Sequence, residues 1–145
     1  METISEFQGQ YRFLSNFFKY PITMEDGITY STREHAFQAY KTTNLEIRKR
    51  IAQLSSPAQA KSFGRIGLTL RENWDLIKDD IMRDIIQTCI KQNPEFKMRL
   101  AETGDAHLIE GNTWGDIYWG VCNGEGKNKL GQILMECRSR IQDYK

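Results

Sequence analysis

The sequence lacks the features that would place it in a membrane or hold it on nucleic acid. It has no apolar run long enough to cross a bilayer, and its acidic first six residues lack the apolar core of a secretory signal. The net charge of +1 excludes a global basic field that would attract DNA or RNA. We therefore expect a cytoplasmic protein without a membrane partner, which would touch nucleic acid only through a local patch.

Cysteine is scarce and follows no disulfide or metal-binding pattern. The three cysteines (Cys89, Cys122 and Cys137) are odd in number and far apart, and His35 and His107 have no ligand spacing with them. This pattern is typical of free thiols in a reducing compartment. The sequence therefore predicts neither a disulfide framework nor a metal site, and we expect no metal or redox cofactor.

The remaining pattern predicts one α+β domain over residues 1–145, mainly helical with a small antiparallel sheet. No repeat, low-complexity tract or linker interrupts the chain, and 145 residues fit one compact core. Aromatic-rich residues 11–30 read as β structure, and 108–110 and 118–121 as short strands. The predicted helices cover about 33–42, 45–53, 57–64, 74–92, 95–102 and 129–141, and Leu76 is expected in the apolar stripe of the longest helix.

The segment 34–41 places polar side chains on one side of a predicted helix. At about 100° per residue, Glu34, Gln38 and Lys41 fall in one narrow arc, and apolar residues fill most of the opposite side. Such an arc would hold a carboxylate that transfers protons near an amine that attacks a carbonyl-like carbon. The alternative is the solvated face of an amphipathic helix, with Glu34 and Lys41 as ordinary surface charges.

A second cluster combines a carboxylate, an indole and a glycine-rich loop. Asp116 lies three residues before Trp119, which suits a general acid or base beside an aromatic surface. Gly126 belongs to a loop that leads into a helix capped by Asn128, and unpaired amides at a helix start attract phosphates. The alternatives are a capping aspartate and an ordinary turn.

Three further features suit either a ligand or the protein interior. Ser15 and Asn16 lie among large apolar residues that begin at Phe13, so a ligand's hydroxyls or an ordinary turn would satisfy them. Arg65 suits a phosphate or a helix C-terminus. Trp74 opens a helix beside polar residues, where an indole stacks on a nucleobase or packs into the core.

Taken in order along the chain, these motifs resemble the NADAR domain, also called YbiA-like. The resemblance covers nearly the whole chain and includes several motifs in register. They are Phe13-Leu14-Ser15-Asn16-Phe17, Asp26-Gly27-Ile28-Thr29-Tyr30, Glu34-His35-Ala36-Phe37-Gln38-Ala39-Tyr40-Lys41, Gly64-Arg65, Trp74 with Lys78 and Met82, Gln92-Asn93-Pro94, Thr103-Gly104, Asp116-x-x-Trp119-Gly120 and Gly126-x-Asn128-x-Leu130-Gly131. Tyr40 stands where the family often has a small residue, which is expected to alter the packing behind Lys41.

The resemblance implies a YbiA-like fold and an N-glycosidase that cleaves the bond between ribose C1 and an exocyclic amino group. Lys41 would attack an imine-like C1 and form a Schiff base, and Glu34 and Asp116 would transfer protons. That attack needs a neutral amine, so the pKa of Lys41 should be lowered by burial. Substrate contacts are expected from Phe13, Ser15, Asn16, Gln38, Arg65, Trp74, Trp119, Gly120, Gly126 and Asn128.

The resemblance leaves the substrate open. The expected substrate is ADP-ribose attached to guanine in nucleic acid, and the alternative is a phosphorylated ribosylamino-pyrimidine of riboflavin biosynthesis. Any ADP-ribosyltransferase in the same pathway would be a separate protein. Two other classes also remain: a binding module that holds ADP-ribose or NAD without cleaving it, and a helical interaction protein without a small-molecule site.

Overall fold

The computed structural model describes residues 2–141, and their contacts form two compact units. The central unit spans Asn16–Asn93, and the terminal unit combines the residues up to Ser15 with those from Pro94 onward. The mainly helical α+β class is confirmed. The single domain over residues 1–145 stays a prediction.

The chain alternates short strands with six helices in the described range. In order, the elements are β1 (Thr3–Ile4), a 3-10 helix (Gly9–Leu14), β2 (Ile22–Thr23), β3 (Thr29–Tyr30), α1 (Arg33–Ala39), α2 (Leu45–Ala52), α3 (Pro57–Ile66), α4 (Trp74–Gln92), α5 (Pro94–Glu102), β4 (His107–Leu108), β5 (Gly111–Asn112), β6 (Val121–Cys122) and α6 (Lys129–Ile141). Within residues 2–141, none of the helices has the length and apolar character needed to cross a bilayer.

The central unit is organised around α1, whose seven residues are all buried. Its start is capped by Thr32, whose Oγ1 accepts a hydrogen bond from the His35 amide at 3.1 Å. The next two helices begin with the predicted caps: Asn44 accepts from the Ile47 amide, and Ser56 precedes a proline at the first turn. Helices α2, α3 and α4 all pack against α1, so α1 is held from several sides.

The β structure differs from the predicted antiparallel sheet. Within the described residues it consists of three separate two-stranded pairs. In the central unit β2 pairs antiparallel with β3, whereas in the terminal unit β1–β4 and β5–β6 are parallel. In the terminal unit, α6 packs against α5 and β4.

Several local predictions were wrong. Residues Gly9–Leu14 form a 3-10 helix where β structure was expected, because aromatic content alone does not specify an extended backbone. Leu76 is 80% exposed, so it lies outside the buried stripe of α4. The strand expected over 118–121 is reduced to Val121–Cys122, since the carbonyl groups before it bond to the start of α6.

Candidate active site

Glu34 and Gln38 form a buried hydrogen-bonded pair one turn apart on α1. The Gln38 Nε2 donates to Glu34 Oε1 at 2.9 Å. Gln38 is 3% exposed and Glu34 is 8% exposed. The Glu34 amide donates to the Asn16 carbonyl at 3.1 Å, which satisfies one of the amides that a helix start leaves open. The solvated-face alternative is therefore wrong for this pair, because both side chains are buried.

Lys41 follows the end of α1 and is half-buried. Its amide donates to the Gln38 carbonyl at 3.2 Å, and its carbonyl accepts from the Arg71 amide at 2.8 Å. The Nζ atom lies 5.6 Å from the centroid of the Phe37 ring. The backbone amide and carbonyl of Lys41 are thus both hydrogen-bonded, and its side-chain amine lies beside an aromatic ring.

The surroundings of Lys41 favour its neutral form. Burial is the largest cause that lowers the pKa of the Lys41 amine below its ordinary value, and the charge of Glu34 partly opposes that change. Three other cations also lower the Lys41 pKa: Lys61, Lys78 and Arg65. A lysine in this setting can supply an uncharged amine at a lower pH than a solvated lysine can.

Lys61 was not identified from the sequence, and Lys78 was named there only as part of a family motif, without a role in the site. Lys61 lies four residues before Arg65 on α3, and Lys78 lies four residues after Trp74 on α4. Residues at this spacing share one face of a helix, so the spacing could have identified them. Lys78 also bonds Asp75 at 3.1 Å, and Lys61 lies 5.9 Å from the Phe17 ring centroid.

Trp74 is largely a packing residue in the central unit. It is 7% exposed and its ring lies 5.3 Å from that of Phe37, the same ring that faces Lys41. Trp74 follows Asn73, which has a left-handed backbone with φ of 59°. Its stacking on a nucleobase stays a prediction, for which little of the residue is accessible.

Asn16 uses its side chain within the central unit. Its Oδ1 accepts from Arg33 Nε at 3.0 Å, and its Nδ2 contacts Met82 Sδ at 3.4 Å. Arg33 is completely buried, and burial lowers its pKa. Asn16 therefore supports the first turn of α1 through both its side chain and its carbonyl, and a ligand contact stays a prediction.

Tyr40, which precedes Lys41 in the chain, packs its ring against an aromatic and a cationic side chain. Its ring meets Tyr30 edge-on at 6.4 Å between centroids, and the Arg48 guanidinium lies 3.9 Å from the ring centre. Arg48 in turn pairs with Asp26 at 3.3 Å. The tyrosine is thus accommodated by a cation–π contact on its face.

In the terminal unit, Phe13 and Ser15 are occupied by nearby structure. Phe13 is buried, meets Phe96 edge-on at 6.4 Å and lies 4.2 Å from the Arg99 guanidinium. The Ser15 amide ends the 3-10 helix by donating to the Arg12 carbonyl at 2.9 Å. Direct ligand contacts of Phe13 and Ser15 stay predictions.

Asp116 is the centre of a tight turn in the terminal unit. Its Oδ1 accepts from the amides of Tyr118 at 3.1 Å and Trp119 at 2.9 Å. Asn112 braces the same turn, because its Oδ1 accepts from the Asp116 amide at 3.1 Å and its Nδ2 donates to the Asp116 carbonyl at 2.9 Å. Asp116 therefore has the predicted capping role, and its part in proton transfer stays a prediction.

The start of α6 does not offer the unpaired amides that we expected for phosphate binding. The four amides of residues 127–130 donate to the carbonyl groups of residues 117–120, over 2.8–3.2 Å. The Asn128 side chain is also occupied, since Oδ1 accepts from the Glu110 amide and Nδ2 donates to the Leu108 carbonyl, both at 2.9 Å. The expectation of free amides here was wrong, because the preceding loop satisfies them.

Gly120 and Gly126 allow the loop before α6 to pack closely. A Cβ on Gly126 would lie 2.1 Å from the Gly120 carbonyl oxygen, and one on Gly120 would lie 2.1 Å from the Glu110 carbonyl oxygen. Any larger residue would push these backbones apart. Both glycines thus shape the loop that contains Trp119, whose ring meets Tyr118 edge-on at 4.9 Å.

The predicted site residues fall into two groups, one in each unit. The central unit brings together the α1 arc and its surroundings: Asn16, Glu34, Gln38, Lys41, Arg65 and Trp74. The terminal unit contains the others: Phe13, Ser15, Asp116, Trp119, Gly120, Gly126 and Asn128. The lysine with the lowered pKa and its buried carboxylate both belong to the central unit.

The motifs carried by this fold are those of one family. The sequence profile of the NADAR domain matches residues 4–142, which is nearly the whole chain. The chain therefore belongs to the NADAR family.

Relatives and a solved structure agree with this assignment. The chain is 41% identical over 129 residues to N-glycosidase YbiA of Shigella sonnei, covering 88% of this chain and 79% of that protein. It is 34% identical to an N-glycosidase of Nostoc punctiforme, with 92% and 87% covered. It is 32% identical to a riboflavin biosynthesis protein of Vibrio vulnificus, with 91% and 36% covered. The NMR structure of Escherichia coli YbiA superposes with a TM-score of 0.85 at 35% identity, covering 99% of this chain and 88% of that one.

Proposed function

We propose that this N-glycosidase of the NADAR family removes ADP-ribose from guanine bases of nucleic acid. The bond cleaved would join ribose C1 to the exocyclic amino group of the base. The observation that carries the proposal is the half-buried Lys41, whose pKa is lowered by burial and by three neighbouring cations, near the buried Glu34. An uncharged amine near a carboxylate supplies both the nucleophile and the proton carrier that this cleavage needs.

The first half of the reaction would replace the base by Lys41. The C1–O4 bond of the ribose breaks, O4 takes a proton that the Glu34 carboxylate relays from solvent, and C1 becomes an iminium with the exocyclic nitrogen. The Lys41 amine then adds to C1, and its proton passes through Glu34 to the exocyclic nitrogen. The C1–N bond to the base breaks, the free base leaves, and a Schiff base joins C1 to Lys41.

The second half would release the sugar. Water adds to C1 of the Schiff base and loses a proton to Glu34, which passes it to the Lys41 nitrogen. The C1–Nζ bond then breaks as the new C1 hydroxyl loses its proton to Glu34 and from there to solvent, which yields an aldehyde that closes again to the ribose ring. Asp116 is the second candidate for proton transfer, with Trp119 beside it in the same turn.

The charges around Lys41 support a phosphate-bearing substrate. Lys61, Lys78 and Arg65 all act on Lys41 electrostatically, and repulsion among cations is relieved when an anion binds between them. A phosphate monoester and the diphosphate of ADP-ribose each carry about two negative charges, so these cations suit both candidate substrates. Gln38 would act on the sugar through its bond to Glu34, and its direct substrate contact stays a prediction. Gly120, Gly126 and Asn128 would shape the terminal-unit loop rather than bind phosphate through amides.

The second candidate substrate is a phosphorylated ribosylamino-pyrimidine. Relatives named riboflavin biosynthesis proteins favour it, one from Vibrio vulnificus and one from Zea mays. The bond broken and the role of Lys41 would be the same, because this substrate also carries ribose on an exocyclic amine. A binding module without turnover would make no use of the Schiff base.

Product release tests the proposal directly. The protein is incubated with a guanine-ADP-ribosylated oligonucleotide and, separately, with a ribosylamino-pyrimidine phosphate, and released sugar is measured by mass spectrometry. We expect release from the oligonucleotide, and loss on the order of a thousandfold or more in Lys41→Ala. Lys41→Arg is the matched control, since it keeps the positive charge but forms no Schiff base, and it should be equally inactive.

Borohydride trapping provides an independent check on the covalent step. We expect a reduced sugar adduct on Lys41 and on no other lysine. Normal turnover by Lys41→Ala would refute the Schiff base, and release only from the pyrimidine would establish the second candidate. Tight ADP-ribose binding without any product would favour the binding module.

A further inference from the structure

The central unit contains a buried amide that is satisfied at one end only. The Gln38 Nε2 donates to Glu34 Oε1, and because a carboxylate only accepts hydrogen bonds, this contact fixes which end of the amide faces Glu34. The Gln38 Oε1 is buried and has no hydrogen-bond partner in the part of the chain that the structure describes. An unsatisfied buried acceptor costs about 1–3 kcal/mol, so stability does not explain this arrangement.

Gly64 provides the space that the Gln38 amide occupies. Gly64 is buried in the interior of α3, and a Cβ added to it would lie 1.8 Å from Gln38 Oε1 and 2.7 Å from Cδ. A methyl group at this position would therefore displace the end of the Gln38 side chain from its present place beside Glu34. Glycine in a helix interior is itself unfavourable by about 1 kcal/mol relative to alanine.

Two locally unfavourable features therefore meet at one contact: a glycine inside a helix and an unsatisfied amide oxygen. Neighbouring features that each lower stability, without a compensating gain, are typical of functional sites. Their shared consequence is a fixed orientation of the Glu34 carboxylate, because Gln38 donates to it from a position that Gly64 leaves open.

We propose that Gly64 is a positioning residue of this N-glycosidase. Because Gly64 has no side chain, it leaves space for the Gln38 amide, and that amide orients the Glu34 carboxylate. The inference rests on the proposed function, in which Glu34 carries protons to and from the sugar. A reacting group displaced by about 1 Å can lose on the order of a hundredfold in rate. Gly64 would thus affect catalysis without touching the substrate.

Three variants and a control test this link. Gly64→Ala should lower kcat on the order of a hundredfold, with KM nearly unchanged. Gln38→Ala should lower kcat similarly, and the Gln38→Ala/Gly64→Ala double variant should be no slower than either single variant, because all three lose the same orientation. Ser62→Ala, on the exposed part of α3, should keep the wild-type kcat.

Thermal unfolding separates positioning from simple packing. Gly64→Ala should lower the Tm, and the double variant should recover much of that loss, because the new methyl group fits where the amide was. Its kcat should stay at the level of Gln38→Ala. Recovery of both Tm and kcat in the double variant would overturn the proposal, as would a wild-type kcat and pH profile in Gln38→Ala.

A measurement independent of turnover distinguishes this inference from the proposed function. In ¹⁵N-labelled protein, the Gln38 side-chain amide resonances should move as Glu34 is titrated, and Gly64→Ala should abolish that response. Persistence of the response in Gly64→Ala would overturn the steric link. A wild-type enzyme without product would instead refute the proposed function, and a fully active Glu34→Gln would refute the role of Glu34 in it. The resonance measurement would still test the steric link between Gly64 and Gln38.

Discussion

Lys41 holds its Nζ 5.6 Å from the centroid of the Phe37 ring, four residues back along the chain. An aromatic ring replaces part of the water around the amine, and the loss of water is the largest cause that lowers the Lys41 pKa. The ring also contacts Trp74, so the apolar side of the amine is fixed by packing. Because this contact lowers the Lys41 pKa, it determines the direction in which activity is expected to change with pH.

The first prediction concerns activity against pH. If neutral Lys41 is the nucleophile, kcat/KM should rise with pH through the lowered Lys41 pKa, below the range of a solvated lysine. Lys78 helps to lower that pKa, so Lys78→Met should raise it and move the rise in kcat/KM to higher pH. A pH–rate profile of both proteins measures the change.

Lys91→Met is the matched control for that experiment. Lys91 is exposed on the same helix, α4, and is not among the cations that act on Lys41. Its profile should coincide with that of the wild type. A movement of the Lys78→Met profile to lower pH would contradict the electrostatic argument.

The second prediction concerns stability against pH. The pKa of Lys41 in the folded state lies below its unfolded value, so the cost of burying its charge is fully present below the folded pKa. That cost disappears as the pH rises from the folded pKa towards the unfolded one. Lys41→Met should therefore stabilise the protein at pH 7, by about 1 kcal/mol or less because solvent screens a half-buried amine.

Urea unfolding at pH 7 and near pH 10 checks this sign. The advantage of Lys41→Met over the wild type should shrink at the higher pH. Lys49→Met serves as the comparison, since Lys49 has a 57% exposed side chain that pairs with Glu46 at the surface. An advantage that grows with pH would contradict the argument from burial.

The sequence predicted the helices well because their ends carry local signals. Both limits of α4 and the start of α6 were predicted as the structure has them, since Asn93-Pro94 ends one helix and Asn128 precedes the other. The caps Thr32 and Ser56 also function as predicted. Each of these signals acts within four residues, so no knowledge of the tertiary fold was needed.

The features that the sequence did not reveal depend on distant partners. The parallel pair β1–β4 joins Thr3 to His107, and no local turn signal specifies such a pairing. The amides at the start of α6 look unpaired in the sequence but donate to carbonyl groups of residues 117–120 in the preceding loop. Gly64 is recognisable as a steric requirement only once Gln38 is seen beside it.

The third prediction separates two roles of Asp116. Asp116→Asn keeps an oxygen that can accept from the Tyr118 and Trp119 amides but removes the charge. We expect it to keep the wild-type Tm and, if Asp116 transfers a proton, to lower kcat on the order of a hundredfold. Asp116→Ala removes the acceptor as well, so it should also lose about 1–2 kcal/mol in unfolding free energy. Full activity in Asp116→Asn would leave Glu34 to transfer the protons without Asp116.

The fourth prediction compares two asparagines that share a left-handed backbone. Asn128 and Asn123 have φ of 54° and 53°, but Asn128 is buried and bonds the backbone of Leu108 and Glu110, whereas Asn123 is exposed. Alanine at either position should cost about 1 kcal/mol for the backbone conformation. Asn128→Ala should cost about 2 kcal/mol more, because it leaves a buried carbonyl and a buried amide unpaired.

Urea unfolding of Asn128→Ala, Asn123→Ala and Asn128→Gly separates the cost of the left-handed backbone from the cost of the lost hydrogen bonds. Glycine adopts the left-handed backbone without strain, so Asn128→Gly should lose only the part that comes from the hydrogen bonds. Equal losses in Asn128→Ala and Asn123→Ala would show that the side-chain bonds contribute nothing. If Asn128→Ala loses more stability than Asn123→Ala, Asn128 maintains the loop of Asp116 and Trp119 through its side-chain hydrogen bonds. Any loss of turnover in Asn128→Gly would then follow from a change in that loop rather than from a lost phosphate contact.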